Sequence, residues 1–404
     1  MSNMRKISDI NGYVEGNSKW PDFDKKICEE GNVVFTIPKS ENIYDAPIFF
    51  NPMMNLNRDL SILFTKNYSE KINRKLRIFE PLAGIGIRAM RMLKEIPESI
   101  EEIVISDYNT ITNSVSNYNK EKLNFTNNLH IFNRETRSLT LDLAENKYKY
   151  DYIDLDPFGS PSPYIDFMWP VLNSKALISV TATDMTALCG VYPMACFRKY
   201  GGYPINNQHN HETAIRILLG MVVRSAGRHE KGITPIFSIS VDHYAKIFFK
   251  IENGRGRANK SMEQIGFSFT CDNCHEIYYE KIDGEIPKCC GELQKAGPLW
   301  IGKLFDKDWC ERGLKSLETM KLPSEKRIAK QLLEGVNEED LKGFFQISKL
   351  CKKLKISQPS FTDLFSKIDE KGFKVIKSQF KDQAIRTNIS GKQIMKILKE
   401  LAEK

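Results

Sequence analysis

The chain has 404 residues, of which 27% are charged and 41% hydrophobic, a composition that excludes a disordered or fibrous protein and allows two domains with separate cores. No apolar run approaches the ~18 residues of a membrane span, and residues 1–6 lead into polar sequence without the apolar segment of a secretory signal, so we expect a cytoplasmic protein with no membrane partner. The formal net charge of +8 favours a partner of negative charge such as a nucleic acid.

Strand-like and helix-like segments alternate after a polar, irregular stretch over residues 1–30, as they do in proteins built from βαβ units. Strands are predicted at residues 31–38, 76–79, 103–106, 129–132, 152–155, 176–181, 236–241 and 246–251. Helices are predicted at residues 57–67 and 88–95, in a polar segment ending near residue 123, and at residues 213–225. The pattern therefore predicts an α/β, Rossmann-like domain over residues 31–252.

Residues 253–257 read Asn-Gly-Arg-Gly-Arg, a basic and flexible break that we interpret as the domain boundary. Residues 258–404 are predicted to form a smaller α+β domain, helical over residues 304–333 and resembling a winged helix in its tail. From residue 341 onward the chain has 15 Lys and Arg against 6 Asp and Glu, whereas the rest has 44 against 45. This basic end suits a phosphate backbone, although a lysine-rich solvated surface has the same composition.

Two glycines, Gly84 and Gly86, join the strand at 76–79 to the next helix. Glycine at such a turn lets the backbone approach a ligand closely. Asp107 ends the following strand, where a carboxylate meets ribose hydroxyls. Glu135, with Thr136 next to it, follows the strand at residues 129–132 and would border an adenine. One such residue after each strand is the arrangement of an S-adenosylmethionine site.

The sequence Asp-Leu-Asp-Pro-Phe-Gly-Ser-Pro at residues 154–161 lies at the carboxyl end of the strand predicted at residues 152–155. The Asp156 carboxylate can accept a hydrogen bond from an exocyclic amine while the Phe158 ring stacks on the base. Methyl transfer to a nucleobase nitrogen is therefore predicted. A dehydrogenase would also explain Gly84-x-Gly86-x-x-Ala89, but it gives no role to residues 154–161.

Several sequence blocks resemble the tRNA guanine-26 N2-dimethyltransferase family. The resemblance runs from about residue 31 to the C-terminus and weakens after residue 250. It implies a class I methyltransferase domain that transfers methyl groups from S-adenosylmethionine to the exocyclic N2 of guanine 26 in tRNA, usually twice. The blocks are Phe49-Phe50-Asn51-Pro52, Asn57-Arg58-Asp59, Gly86-Ile87-Arg88, residues 154–161 and Thr181-Ala182-Thr183-Asp184 with Cys189-Gly190.

The resemblance also implies residue roles. Asp156 is implied as the catalytic carboxylate, with Phe49 and Phe158 packed around the target base. Family members carry aspartate at the position of Glu135. The side chains implied to line the S-adenosylmethionine site are Arg58, Arg88, Asp107 and Glu135.

Four of the nine cysteines lie between residues 271 and 290. They form one Cys-x₂-Cys pair and one adjacent pair, a spacing that predicts a structural zinc ribbon with the ligands Cys271, Cys274, Cys289 and Cys290. A three-thiolate site completed by His275, and buried free thiols, are the alternatives. A disulfide framework is not expected in such a chain.

Two other functions fit the sequence. One is a methyltransferase for another exocyclic base amine in RNA. The other is a non-catalytic RNA-binding protein with a degenerate cofactor fold, which would not bind S-adenosylmethionine.

Overall fold

The computed structural model describes residues 6–14, 19–40, 47–125, 127–241, 243–338, 341, 343–378, 380–381 and 383–403. Residues 1–5, on which the expected lack of a secretory signal largely rests, lie outside these ranges. Among the described helices, none has both the length and the apolar character needed to cross a bilayer.

The strands within the described ranges are β1 (Lys25–Glu30), β2 (Val33–Pro38), β3 (Leu76–Pro81), β4 (Ile100–Asp107), β5 (Leu129–Asn133), β6 (Tyr150–Leu155), β7 (Leu172–Ala182), β8 (Lys231–Val241), β9 (Tyr244–Asn253), β10 (Ile265–Cys271), β11 (Ile277–Lys281), β12 (Leu293–Trp300), β13 (Phe345–Gln346), β14 (Val375–Lys377) and β15 (Ala384–Thr387). The helices are α1 (Asn55–Ile72), α2 (Ile87–Glu95), α3 (Thr110–Lys122), α4 (Thr136–Glu145), α5 (Ile165–Met168), α6 (Met185–Leu188), α7 (Pro193–Tyr200), α8 (Asn210–Arg228), α9 (Arg255–Met262), α10 (Lys307–Leu317), α11 (Glu325–Asn337), α12 (Ile347–Leu354), α13 (Phe361–Glu370) and α14 (Gly391–Ala402).

A seven-stranded sheet has the strand order β5-β4-β3-β6-β7-β9-β8. The pairs β3–β4, β3–β6, β4–β5 and β6–β7 are all parallel. Every residue of β6 is buried, as expected for a central strand of a parallel sheet. This confirms the α/β, Rossmann-like class. The strand order reverses between β3 and β6, and ligands bind at such a switch point in open α/β sheets.

The chain divides into two compact units, each assembled from three stretches of sequence. The first unit comprises residues 1–181, 248–253 and 312–329, and the second comprises residues 182–247, 254–311 and 330–404. One change of unit falls within the expected break, after Asn253. The residues that follow form α9 rather than a flexible segment, because Ser261 on α9 hydrogen-bonds both the amide and the carbonyl of Ile233.

The first unit contains a hairpin that the sequence did not predict. Strand β1 lies in the stretch expected to be irregular and pairs antiparallel with β2, Lys25 opposite Pro38. The backbone of Thr36 exchanges two 2.8 Å hydrogen bonds with the Asn119 side chain on α3. The hairpin is therefore stabilised by residues far along the chain, which local patterning does not reveal.

The second unit contains two small antiparallel sheets, β11-β10-β12 and β13-β15-β14. Helices α12 and α13 lie between β13 and β14 in sequence, and α14 packs on both of them around a shared apolar cluster that includes Ile347, Leu364 and Ile394. This strand–helix–helix–strand–strand–helix order agrees with the winged-helix-like tail predicted from sequence.

A buried ionic network also lies in the second unit. Arg386 on β15 contacts Glu212 on α8 at 3.0 Å and Glu334 on α11 at 2.6 Å. Arg216 contacts the other oxygen of Glu212 at 2.8 Å. Burial would raise the pKa of Glu212, but Arg386 and Arg216 outweigh it and lower that pKa to about 2. These charges are therefore mutually compensated within the fold.

Candidate active site

The candidate site lies in the first unit, at the carboxyl ends of the central strands. Because β3, β4, β5 and β6 run parallel, the residues that follow them meet at one edge of the sheet. The glycine turn follows β3, Asp107 ends β4, Glu135 follows β5 and Asp156 follows β6. The sheet therefore brings the four sequence signals to the same edge.

The glycine turn sets the start of α2. Gly86 has φ +71° and precedes the first helical residue, Ile87. A Cβ at position 86 would lie 2.6 Å from Cδ1 of Ile105 on β4, closer than a real Cβ approaches another atom. The left-handed backbone therefore favours glycine, and any Cβ there would also displace the end of the Ile105 side chain. Arg88 emerges from the first turn of the helix.

Asp107 is fixed by backbone amides. Its carboxylate accepts hydrogen bonds from the amides of Gly84 at 3.2 Å and Asn109 at 2.9 Å. Burial raises the pKa of Asp107 above its ordinary value although these amides oppose the shift. Tyr108, which the sequence analysis did not single out, is 75% exposed next to it.

Glu135 and Thr136 begin α4. The Glu135 carboxylate accepts from the amide of Ser138 at 3.0 Å and pairs with Arg137 at 2.7 Å. Burial would raise the pKa of Glu135, but Arg137 and the Ser138 amide lower it. The Thr136 hydroxyl is buried and has no hydrogen-bond partner in the described part of the chain.

Arg88 is the centre of the site. Its guanidinium contacts Glu80 at 2.8 Å and Asp154 at 3.1 Å, donates to Asn57 at 3.0 Å, and forms an ion pair with Asp156. Burial would lower the pKa of Arg88, but the three carboxylates raise it well above its ordinary value. A permanently charged arginine therefore holds the acid at the carboxyl end of β6.

The two acids of the Asp-Leu-Asp sequence differ in environment. The side chain of Asp154 is 1% exposed, whereas that of Asp156 is 14% exposed. Asp154 accepts hydrogen bonds from Ser61 at 2.5 Å and from the Tyr152 hydroxyl at 2.7 Å. Asp154 is thus fully engaged inside the fold, and Asp156 is the acid that a ligand can reach.

An aromatic pair accompanies Asp156. Phe49 and Phe158 lie with ring centroids 5.7 Å apart at an interplanar angle of 72°. The two rings are 48% and 82% exposed, which is unusual for phenylalanine without a partner. Gly159 follows with φ +87° and open space where a Cβ would lie. The two rings predicted to flank a base are therefore brought together.

Arg58 is engaged by another acid. It donates to Glu30 on β1 at 2.6 and 2.5 Å and to the carbonyl of Asn51 at 3.1 Å. Glu30 also contacts Arg91 at 2.8 Å. Burial would raise the pKa of Glu30, but Arg58 and Arg91 lower it. In this arrangement Arg58 ties the hairpin to the segment that follows Phe49.

A cavity of about 690 Å³ borders the same segment. Its lining includes Glu30, Phe50, Asn55 and Lys321. The residues predicted to bind the cofactor are not among those that line it, so this cavity is separate from the predicted cofactor site.

The four clustered cysteines converge in the second unit. Their sulfur atoms all lie within 4.8 Å of one another. The separation is 3.4 Å between Cys274 and Cys289, and 3.9 Å between Cys271 and Cys290. The Tyr278 hydroxyl lies 3.3 Å from the Cys289 sulfur. The group is compatible with metal binding, and it is formed by the cysteines without His275.

Comparison with known proteins gives concordant results. A family model described as N2,N2-dimethylguanosine tRNA methyltransferase matches residues 30–399. The tRNA (guanine(26)-N(2))-dimethyltransferase of Methanosphaera stadtmanae is 32% identical over 387 residues, 94% of this chain and 98% of that protein. The tRNA (guanine(26)-N(2)/guanine(27)-N(2))-dimethyltransferase of Aquifex aeolicus is 33% identical over 390 residues, 93% of this chain and 96% of that protein. A complex of Trm1 from Pyrococcus horikoshii with S-adenosyl-L-methionine matches with a TM-score of 0.80 at 26% identity and covers 92% of this chain and 99% of that one.

Proposed function

The chain belongs to the N2,N2-dimethylguanosine tRNA methyltransferase family, and on that premise we propose that it transfers methyl groups from S-adenosylmethionine to the exocyclic N2 of guanine 26 in tRNA, twice in succession. The resemblance read from the sequence is thereby confirmed. The single observation that carries the chemistry is the Asp156 carboxylate, held by Arg88 beside the exposed Phe49–Phe158 pair.

The chemistry explains why a carboxylate is needed. The lone pair of guanine N2 is delocalised into the ring, so the amine is a poor nucleophile. Asp156 accepts a hydrogen bond from N2–H, which localises the lone pair and orients it toward the methyl. The N2–C bond forms as the bond from that carbon to sulfur breaks, and the N2 proton leaves through Asp156 to solvent.

The Phe49–Phe158 pair would bind the target guanine after it leaves the RNA stack. A guanine within folded RNA must leave its stack before its exocyclic amine can be reached, and the extruded base needs an apolar surface. In this proposal Phe158 stacks on the base and Phe49 contacts its edge, which the approach of the two rings to 5.7 Å supports. Asp156 then accepts the hydrogen bond from the exocyclic amine at the edge of the stacked base.

The residues at the strand ends fit S-adenosylmethionine, which supplies a methyl activated on a sulfonium. Asp107, oriented by the amide of Gly84, suits two ribose hydroxyls. The buried Thr136 hydroxyl and the Arg88 Nε, both without a partner among the described residues, are polar atoms that a ligand can satisfy. Glu135 and the exposed ring of Tyr108 would border the adenine, and Arg58 the rest of the cofactor.

For the cysteine cluster we propose structural Zn²⁺. Tetrahedral coordination at ~2.3 Å places thiolate sulfurs ~3.8 Å apart, and the sulfurs of Cys274 and Cys289 and of Cys271 and Cys290 are 3.4 and 3.9 Å apart. The site would tie β10 to the segment before β12.

The tRNA partner is also expected from charge. The net positive charge lies in residues 341–404, for which we propose contacts to phosphates. We assign tRNA binding to residues 258–404 and methyl transfer to residues 31–252. Such an enzyme would act in the cytoplasm.

The test is incubation of an unmodified tRNA transcript with isotopically labelled S-adenosylmethionine, followed by nucleoside mass spectrometry and positional mapping. The expected product is N2,N2-dimethylguanosine at position 26. Label on a different base or atom would overturn the assignment. Position 27 must be mapped too, because the Aquifex aeolicus relative is named for both positions.

A further inference from the structure

The second unit carries an exposed apolar surface that the proposed reaction does not use. Of the large apolar side chains that are exposed in the described part of the chain, five lie between residues 191 and 203. We call them the aromatic patch: Val191, Tyr192, Met194, Phe197 and Tyr203. Contiguous exposed apolar side chains of this kind mark interaction sites more often than isolated ones do.

The patch is held on a rigid base. On the inner side of α7, Cys196 and Tyr200 are buried. The Tyr200 carbonyl accepts a 2.5 Å hydrogen bond from Arg224, and its hydroxyl donates to Asp184. Tyr203 exchanges backbone hydrogen bonds of 2.9 and 2.8 Å with Gly297. The outward rings are therefore held in place by the backbone and by buried neighbours.

Two of the rings already form a stack. The centroids of Phe197 and Tyr203 are 4.4 Å apart with an interplanar angle of 19°. The two rings are 41% and 43% exposed. The Tyr203 hydroxyl lies 3.8 Å from the Met194 sulfur, so the Met194 side chain borders the stack at this hydroxyl. A planar ligand can extend such a stack at a solvent-exposed ring face.

The charge around the patch indicates the kind of partner. Between Asp184 and Glu212 the sequence has two basic residues, Arg198 and Lys199, and no acidic residue. Lys199 pairs with Asp184 at 2.8 Å, whereas Arg198 is exposed on α7 beside Phe197. Asp184 is thus occupied by Lys199 and the Tyr200 hydroxyl, which leaves the exposed Arg198 as the cation nearest Phe197 in sequence. Exposed rings together with an exposed cation suit single-stranded nucleic acid, which presents a base and a phosphate together.

We propose that the aromatic patch binds an unstacked nucleotide of the tRNA other than the target guanine, with its base on Phe197 or Tyr203 and its phosphate on Arg198. The inference rests on the proposed function, because it takes tRNA as the partner. It adds a contact that fixes the substrate without taking part in methyl transfer.

The test uses the full-length protein with the Phe197→Ala/Tyr203→Ala double substitution. Stacking of one base contributes enough that we expect the Kd and KM for tRNA to rise roughly tenfold, with kcat and S-adenosylmethionine affinity unchanged. The Tyr203→Phe variant keeps the ring and should bind tRNA as the wild type does. Leu333→Ala removes a 51% exposed side chain of the same unit outside the patch and serves as the matched control.

Removing Arg198 tests the charge. The Arg198→Gln variant should lower the slope of log K against log salt concentration by about 1, the value expected for one lost phosphate contact. Thermal melting checks that each variant is folded. If the double variant does not fold, Phe197→Leu/Tyr203→Leu, which keeps apolar bulk without either ring, takes its place with the same expected loss.

A folded double variant with wild-type tRNA affinity would overturn the proposal. A wild-type dimer that dissociates in the double variant while tRNA affinity is retained would overturn it too, in favour of self-association. Failure of the wild type to methylate tRNA would instead count against the proposed function, because direct tRNA binding is measured without turnover.

Discussion

Arg88 lies 3.1 Å from Asp154 through one terminal nitrogen while the other terminal nitrogen forms the ion pair with Asp156. One guanidinium therefore spans two acids that are two residues apart on the same strand end. The inner acid is fixed by Ser61 and Tyr152, so the position of Asp156 depends on atoms deep in the sheet.

Replacing Asp156 should remove transfer and leave the fold intact. In Asp156→Ala, Arg88 keeps Glu80 and Asp154 as partners, so no buried charge is left unpaired. We expect kcat to fall by roughly 10²–10⁴, the usual contribution of a positioned acid–base group, with nearly unchanged S-adenosylmethionine binding by calorimetry. Asp156→Asn is the isosteric control, and wild-type turnover in either variant would refute the role.

Replacing Arg88 should destabilise the protein. Arg88→Met leaves three carboxylates without their common partner, and removing one member of a buried ion pair costs about 3–5 kcal/mol. Urea denaturation would measure this loss. Arg137→Met removes an exposed pair of the same unit and should cost ~1 kcal/mol or less. An equal free energy of unfolding in the two variants would contradict the arrangement.

Replacing Phe158 should act on RNA and spare stability. Since this ring is 82% exposed, Phe158→Ala should change the free energy of unfolding by no more than about 0.5 kcal/mol. Loss of one base stack corresponds to ~1–3 kcal/mol, so kcat/KM for tRNA should fall about tenfold or more. Phe158→Tyr should keep most activity, and a kcat/KM unaffected by Phe158→Ala would exclude stacking on this ring.

Two buried glutamates, Glu212 and Glu338, should affect the free energy of unfolding in opposite directions as the pH changes. The pKa of Glu212 is lowered to about 2, so its contribution is complete above its unfolded value of 4.5 and is lost as the pH falls toward 2. Burial raises the pKa of Glu338 to about 7, so its contribution is present below 4.5 and is lost as the pH rises through 7. Each contributes on the order of a few kcal/mol.

Urea midpoints between pH 5 and 8 would measure the second effect. The midpoint should fall with rising pH in the wild type and fall less in Glu338→Gln, which cannot ionise. Parallel curves for the two proteins would show that Glu338 does not titrate in this range.

Metal removal tests the cysteine cluster. Elemental analysis should find about one equivalent of zinc, held tightly enough to survive purification, and a strong chelator should lower Tm. Cys289→Ser should lose the metal, whereas Cys28→Ser, at a cysteine outside the cluster, should keep it. Less than about half an equivalent in the wild type would count against the site.

The sequence predicted the parts of the site that follow from local pattern. Strand ends of a parallel sheet share one edge, so the sequence alone places Gly86, Asp107 and Asp156 together. The same reasoning identified the cysteine group, because ligand spacing is a short-range signal.

Contacts between distant residues were beyond this reasoning. A guanidinium binds a protein carboxylate as readily as a ligand's, so the sequence could not tell that Arg58 pairs with Glu30 or that Arg88 spans three acids. Glu212 and Arg386 are 174 positions apart, and no local pattern predicts their pairing. Tyr108 and the aromatic patch were missed because exposure depends on the tertiary fold.

The left-handed backbone at Gly86 links the methyl-transfer chemistry to the packing of the turn before α2. A side chain at position 86 would be strained at φ +71° and would meet the end of the Ile105 side chain. Relief of that backbone strain would shift the turn from which Arg88 projects. Arg88 would then no longer lie in position to pair with Asp156, and the Asp156 carboxylate would be displaced. A substitution of Gly86 would thus lower kcat as the loss of a catalytic group does, although its cause would be steric.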